Sequence, residues 1–198
     1  MSAPGRGHEG RAKGRIRPGT EAALLLIDVI SDFRFEDGAA LAQHAEAAVA
    51  AIAALRGRFR QAGRPVIYVN DNFGRWTATF PDLVDWASRG DSRGRAIVDA
   101  LLPQPDDLFI LKPRHSAFFE TALPTLLDAL GVHEVAIAGV AGDACVLASA
   151  MDAHIRKLDV WVPEDGVASV SRERNERAIA HMAESLRLDV RPIHGLAD

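Results

Sequence analysis

Cysteine is nearly absent from this chain: Cys145 is the only one among 198 residues. A solitary thiol excludes an internal disulfide, so packing or chemistry must account for it. Scarcity of cysteine also suits a reducing compartment, and a cytoplasmic location is expected. Long apolar runs are missing as well. None approaches the roughly 20 residues that span a bilayer, which excludes a membrane partner. Charge of one sign is not in excess: the net charge is −4, with acidic and basic residues interspersed. No electrostatic footprint for nucleic acid follows from that balance. The seven histidines (8, 44, 115, 133, 154, 181 and 194) form no i, i+2 or i, i+4 pair. That spacing excludes the commonest ligand sets, and neither a metal nor another cofactor is expected.

The first 20 residues lack the apolar central stretch of a secretory signal. They carry Arg6, Arg11, Lys13, Arg15 and Arg17 against Glu9, and read as a flexible basic tail outside the folded unit. From residue 21 to 198 no linker, internal repeat or second boundary appears. An apolar content of 48% and a charged content of 25% are those of one ordinary globular domain.

Within that domain strands and helices alternate. Residues 22–30 form a continuous apolar run interrupted by Asp28, the pattern of a strand covered on both faces. Residues 39–62 carry Leu41, Ala45, Ala48, Ile52 and Leu55 at helical spacing, with Gly63 as a stop. Further strands are predicted at 65–70, 107–111, 134–140 and 159–162, with an edge strand at 189–192. Helices are predicted at 94–102, 121–130, 143–157 and 172–186, and residues 71–90 read as loop. About six strands alternating with helices predict a three-layer, doubly wound α/β domain with a mostly parallel sheet.

In such a sheet ligands lie beyond the carboxyl ends of the strands, where strand order reverses. Three chemically loaded residues fall at strand ends. Asp28 is a carboxylate inside an apolar run, costly unless paired or functional. Lys112 closes the strand that ends at Leu111, and Cys145 follows the strand that ends near Val140. Proximity to a helix N-terminus and to a lysine favours thiolate over thiol. Asp28 can take the thiol proton and return it to a leaving amine, if desolvation raises its pKa. The loop before Cys145 can turn backbone N–H groups toward an oxyanion. Together these describe acyl transfer from an amide through a thioester.

Four segments carry a resemblance. They are Leu-Leu-Ile-Asp-Val at 25–29 with Asp32 and Phe33, and Tyr-Val-Asn-Asp-Asn-Phe-Gly-Arg-Trp at 68–76. Lys-Pro-Arg-His-Ser-Ala-Phe at 112–118 and Gly-Val-Ala-Gly-Asp-Ala-Cys-Val at 139–146 complete the set. The chain closely resembles the isochorismatase-like cysteine hydrolases from Ala22 to about Ile193. That resemblance implies a triad of Asp28, Lys112 and Cys145. It also implies a cis peptide between Val140 and Ala141, with an oxyanion hole built from Val140, Ala141 and Cys145. A homodimer or homotetramer is expected on the same ground.

The departures narrow the expectation. Ile30 stands where family members often carry glutamine, and Gly142 where they often carry threonine. Members that cleave the vinyl ether of isochorismate typically lack the cysteine, so Cys145 points to a C–N bond of a small amide, ureide or carbamoyl compound. The nicotinamidase branch binds a metal through Asp-x-His, whereas this chain has Asp71, Asn72 and Phe73. Phe33, Asn72, Trp76, His115 and Phe118 are the candidate pocket walls, with Phe118 and Phe119 equally readable as core or interface. Asp143 is expected to cap the helix that carries the thiol. Three other readings stay open: an aspartyl nucleophile at Asp28, disfavoured by Ile30 in place of a second aspartate, a silent scaffold used for binding or assembly, and a vinyl-ether hydrolase of the isochorismatase type, disfavoured by Cys145.

Overall fold

The computed structural model describes residues 22–194; the basic stretch 1–20 lies outside the described residues. Six strands and six α-helices make up the described residues. The strands are β1 (Ala22–Ile27), β2 (Val66–Asp71), β3 (Leu108–Lys112), β4 (Glu134–Val140), β5 (Asp159–Trp161) and β6 (Val167–Ala168). The helices are α1 (Gly38–Gln61), α2 (Phe80–Ala87), α3 (Arg95–Ala100), α4 (Leu123–Ala129), α5 (Leu147–Ile155) and α6 (Arg172–Glu184). Every named strand pair is parallel, and the sheet order is β3-β2-β1-β4-β5. β6 also pairs with β4, so β5 and β6 follow one another along the same edge of that strand. This is the expected doubly wound three-layer architecture.

Alternation along β1 builds both halves of the core. Ala22, Leu24 and Leu26 pack with Ile52, Leu55 and Phe59 of α1 and with Phe80 and Leu83 of α2. Ala23, Leu25 and Ile27 pack on the other face with Leu127 of α4, Ala150 of α5 and Met182 of α6. A strand buried on both faces needs no polar positions, which is why β1 reads Ala-Ala-Leu-Leu-Leu-Ile. By length and average composition α1 would suit a bilayer, yet Leu41, Ile52, Leu55 and Phe59 are buried in the first of these clusters. Gly63 and Gly131 close α1 and α4 with φ of 64° and 67°, as a left-handed stop requires.

Four local expectations need correction. β1 stops at Ile27 rather than residue 30, because Asp28 turns into the left-handed region with φ 52°. The 71–90 segment is not all loop: Thr79 and Asp82 form a reciprocal capping box that starts α2, with Pro81 in its first turn. The sixth strand is β6, whereas 189–192 makes only a bridge from Asp189 to Trp161. The predicted helix at 143–157 begins as a π-turn, Gly142–Val146, before α5 takes over.

Sheet order reverses between β1 and β4. β2 and β3 lie to one side of β1, and the chain then returns to pair β4 along the other. At that crevice β4 comes very close to β1. A Cβ on Gly139 (φ 124°) would sit 2.1 Å from the Ile27 carbonyl oxygen, so only glycine fits.

Candidate active site

The carboxyl ends of β1, β3 and β4 deliver Asp28, Lys112 and Cys145 to one place. Lys112 ends β3, two strands away from β1, and its stem reaches back across β2 with 0% exposure. Its Nζ lies 2.8 Å from Asp28 Oδ2 and 3.5 Å from Cys145 Sγ. A third donor direction is taken by the Arg114 carbonyl oxygen at 3.1 Å. Asp71 Oδ2 stands further off, at 3.7 Å from the ammonium. Asp28 Oδ1 accepts the Asp71 N–H at 2.6 Å. A buried ammonium with three close acceptors meets the condition under which interior charge is tolerated.

Asn70 fixes the loop that follows Asp28. Its side chain accepts from the Ile30 N–H at 3.0 Å and donates to the Ile30 carbonyl at 2.9 Å, all of it buried. Ile30 itself is fully buried, so the position where glutamine was the alternative serves the core through its side chain and the loop through its backbone. Neither Asn70 nor Asp71 was singled out from the sequence. The β-strand Pro-Val-Ile-Tyr-Val-Asn held the signal: a polar residue closing an apolar strand beside a strand-end aspartate.

Electrostatics divide the three groups by protonation. Burial raises the Asp28 carboxyl above its ordinary range, while Lys112 and the hydrogen bonds from Lys112, Cys145 and the Asp71 amide pull against it. Burial alone would lower Lys112, but Asp28, Cys145 and Asp71 together lift it above an ordinary lysine. Cys145 is pushed up to about 12 by burial first and the Asp28 carboxylate second, both outweighing Lys112. Both push the group toward the neutral thiol, opposite in sign to the thiolate expected from its helix terminus. On this five-residue π-turn, burial and the neighbouring carboxylate both work against the thiolate.

That turn is shaped for chemistry. The Val140–Ala141 peptide is cis. The Val146 N–H and the Ala144 N–H both donate to the Ala141 carbonyl, and the Asp143 N–H donates to Ser169 Oγ at 3.2 Å. π-Turns inside helices are frequent at functional sites. Asp143 does not cap the helix: its side chain accepts from Arg174 Nε at 2.5 Å, and no side-chain cap bond forms at this terminus.

The five candidate pocket walls are placed very differently. Phe33 is 0% exposed and belongs to the core beside α3, where a Cβ on Gly94 would lie 2.7 Å from its ring. Its loop position made it look available; the ring turns inward instead. Phe118 is also core, in the cluster that includes Leu123 and Leu127, with Arg156 over its ring at 5.4 Å. Asn72 is buried and its Oδ1 accepts the Gly74 N–H, so it shapes the turn after β2. His115 is exposed three residues beyond Lys112, and Trp76 is 78% exposed on the loop after β2. Neither makes a contact with the Asp28–Lys112–Cys145 group in the bonds described. A cavity of about 470 Å³ opens between α1 and α6 beside β6, bordered by Ser169 and Asn175 but by none of the three. Among the described residues no three His, Cys, Asp or Glu side chains are grouped as a metal-ligand set.

Comparison with known proteins bears on the family and the fold. The model of the Isochorismatase domain matches residues 22–188. The chain is 39% identical to the isochorismatase family protein YaaI of Bacillus subtilis, over 86% of this chain and 93% of that one. It is 32% identical to maleamate amidohydrolase of Pseudomonas putida, over 70% of this chain and 68% of the relative. The crystal structure of a nicotinamidase from Staphylococcus aureus superposes with a TM-score of 0.66 at 26% identity, covering 87% of this chain and 98% of that one.

Proposed function

Because the chain belongs to the isochorismatase family, we propose that it hydrolyses a C–N bond of a small amide, ureide or carbamoyl compound through a thioester on Cys145. One observation carries the reading: a single buried ammonium, Lys112, touches both a carboxylate and the chain's only thiol at the switch point of the sheet. Two relatives are amidohydrolases by name, one of maleamate and one a nicotinamidase, which favours an amide nitrogen as the leaving group.

The steps follow from the protonation states. Cys145 starts as a thiol, so its proton must leave as the sulfur attacks. Asp28 is the acceptor within reach, and its raised pKa makes it a better base than an exposed aspartate. Lys112 stays charged throughout and stabilises the sulfur as it becomes anionic. The S–C bond forms, and the carbonyl oxygen gains charge against backbone amides of the π-turn. Asp143, Ala144 and Val146 donate theirs elsewhere, so the Gly142 and Cys145 amides of the turn, with that of Ala141 just before it, are the candidates for the oxyanion. On collapse the C–N bond breaks and Asp28 returns its proton to the nitrogen. Water then attacks the thioester, giving a proton to Asp28 and a hydroxyl to the acyl carbon. The acid is released as the thiol recovers its proton.

Ammonia release from a panel of small primary amides, ureides and carbamoyl compounds tests this. Turnover of at least one member is expected from the wild type, with a loss of about 10³-fold or more in Cys145→Ala. The thioester should appear as a mass increase on Cys145 when the reaction is quenched in acid. Turnover by Cys145→Ala at the wild-type rate defeats the nucleophile assignment.

A further inference from the structure

Ser149 lies one turn beyond Cys145 and is fully buried. Its hydroxyl donates to the Cys145 carbonyl oxygen at 2.6 Å. A helical serine commonly bonds back to the carbonyl four residues earlier, and that bond alone would be ordinary. Here Ser149 Oγ also accepts the Ala117 N–H at 2.9 Å, from a different element. A hydroxyl has one proton to give and lone pairs to accept with, so Ser149 makes a two-way bridge between the nucleophile turn and the loop after β3.

That loop is the one that starts at Lys112. Lys112 Nζ donates to the Arg114 carbonyl, and the next residues are tied in sequence. Ser116 Oγ donates to Asp152 of α5 and accepts the Phe118 N–H, while Thr121 Oγ1 donates to the Ala117 carbonyl at 2.6 Å. Two hydroxyl bridges, at Ser149 and Ser116, therefore join the lysine-bearing loop to the helix of the cysteine. The pair they hold in register is Lys112 Nζ and Cys145 Sγ, 3.5 Å apart.

We propose that Ser149 is a positioning residue, whose hydroxyl holds Cys145 against Asp28 and Lys112 by clamping the Cys145 carbonyl to the Ala117 amide. The proposal rests on Cys145 being the nucleophile. Without the clamp the π-turn relaxes, the thiol moves away from the carboxylate and toward water, and the arrangement for proton transfer is lost. A misplacement of about 1 Å can cost on the order of 10²-fold in rate.

The test follows alkylation of Cys145 by iodoacetamide, read by intact mass between pH 6 and 11, in wild type, Ser149→Ala and Ser149→Thr. Expected in Ser149→Ala is a pH profile moved down from about 12 toward the ordinary thiol value of 9.0. Its rate at pH 8 should rise at least threefold, and turnover of any amide the wild type accepts should fall about tenfold or more with KM little changed. Ser149→Thr retains the hydroxyl and restores the wild-type profile. A merely structural serine would lower the melting temperature and leave the alkylation profile in place, and that result overturns the proposal. If Ser149→Ala does not fold, Asp152→Asn weakens the second bridge and must move the profile in the same direction; an unmoved profile there also overturns it. Alkylation needs no substrate. A shifted profile with no amide turned over by wild type would leave the clamp standing and remove the proposed reaction.

Discussion

Two ion pairs in this molecule have nearly the same length and opposite consequences. Lys112 Nζ meets Asp28 at 2.8 Å at the crevice of the sheet, with side-chain exposures of 0% and 12%. Arg172 Nε meets Glu176 at 2.7 Å on the first turns of α6, with exposures of 83% and 60%. Distance does not separate them; solvent does. On α6 water screens both charges, and the pair is a local i, i+4 contact worth little. At the crevice Lys112 is fully buried and Asp28 nearly so, so each member depends on the other and the balance between them acts on a third group, the Cys145 thiol. A buried pair is poor evidence for stability, because hydrophobic replacements often do as well. Its retention in a core that is otherwise Ala, Leu, Ile and Val fits a chemical role.

Breaking both pairs the same way should expose that difference most sharply. Lys112→Met removes the cation and leaves Asp28 buried beside the sulfur. Chemical denaturation should show a loss of about 3–5 kcal/mol at pH 7, together with loss of turnover. Arg172→Met should leave both the denaturation midpoint and turnover where they were. Equal losses in the two variants would erase the contrast on which the active-site reading depends.

A smaller effect distinguishes the pairs by pH. In the folded protein the Cys145 thiol holds its proton up to about 12, whereas an ordinary thiol releases it near 9.0. Above pH 9 the folded chain thus binds a proton that the unfolded chain has given up, and stability must fall as pH rises. Raised Lys112 acts with the same sign: its contribution is complete below an ordinary lysine's 10.5 and fades as pH climbs through its folded value. Stability measured from pH 8 to 10.5 should therefore decline, with a slope approaching about 1.4 kcal/mol per pH unit from the thiol. Cys145→Ala should flatten that limb below pH 10.5, and Arg172→Met should not change it. An unaltered limb in Cys145→Ala would mean the thiol is not held protonated by its surroundings.

The same contrast explains what could be read from the sequence. Strand ends were legible because parallel strands buried on both faces are continuous apolar runs, so Asp28 and Lys112 stood out as interruptions. The rule that ligands gather where strand order reverses then brought them together with Cys145. Pocket walls were not legible. Whether a loop aromatic faces inward depends on close tertiary contacts, such as Gly94 against the Phe33 ring, which no local pattern encodes. The helix α2 was legible in principle, since Thr79 and Asp82 three residues apart with Pro81 between them form a capping signature. The two-residue β6 and the π-turn leave too short a trace for periodicity to detect. The thiol's electrostatic surroundings were not legible either, for an energetic reason. Position near a helix start indicates the sign of one contribution, and only burial beside a carboxylate decides the sum.

Asp71 lies between the two extremes and gives the finest test. Its carboxylate is one of the charges lifting Lys112, yet it stands 3.7 Å away and its side chain is 32% exposed. Lys112 already donates to Asp28, the Arg114 carbonyl and Cys145, so Asp71 adds field rather than a further hydrogen bond to the ammonium. Its backbone matters more than its side chain, because the Asp71 N–H holds Asp28 Oδ1 and any residue here supplies that amide. Asp71→Asn keeps the amide and a side-chain oxygen able to accept from the Phe73 N–H, and removes only the charge. Turnover should change by no more than about fivefold, the size of a partly solvated charge acting at a distance. The alkaline loss of stability attributable to Lys112 should still begin at an ordinary lysine's 10.5 but be smaller and end at slightly lower pH, because one of the groups raising Lys112 has gone. A collapse of activity as deep as that of Lys112→Met would move Asp71 from bystander to a fourth member of the site, and would make exposure a weaker guide than the two ion pairs suggest.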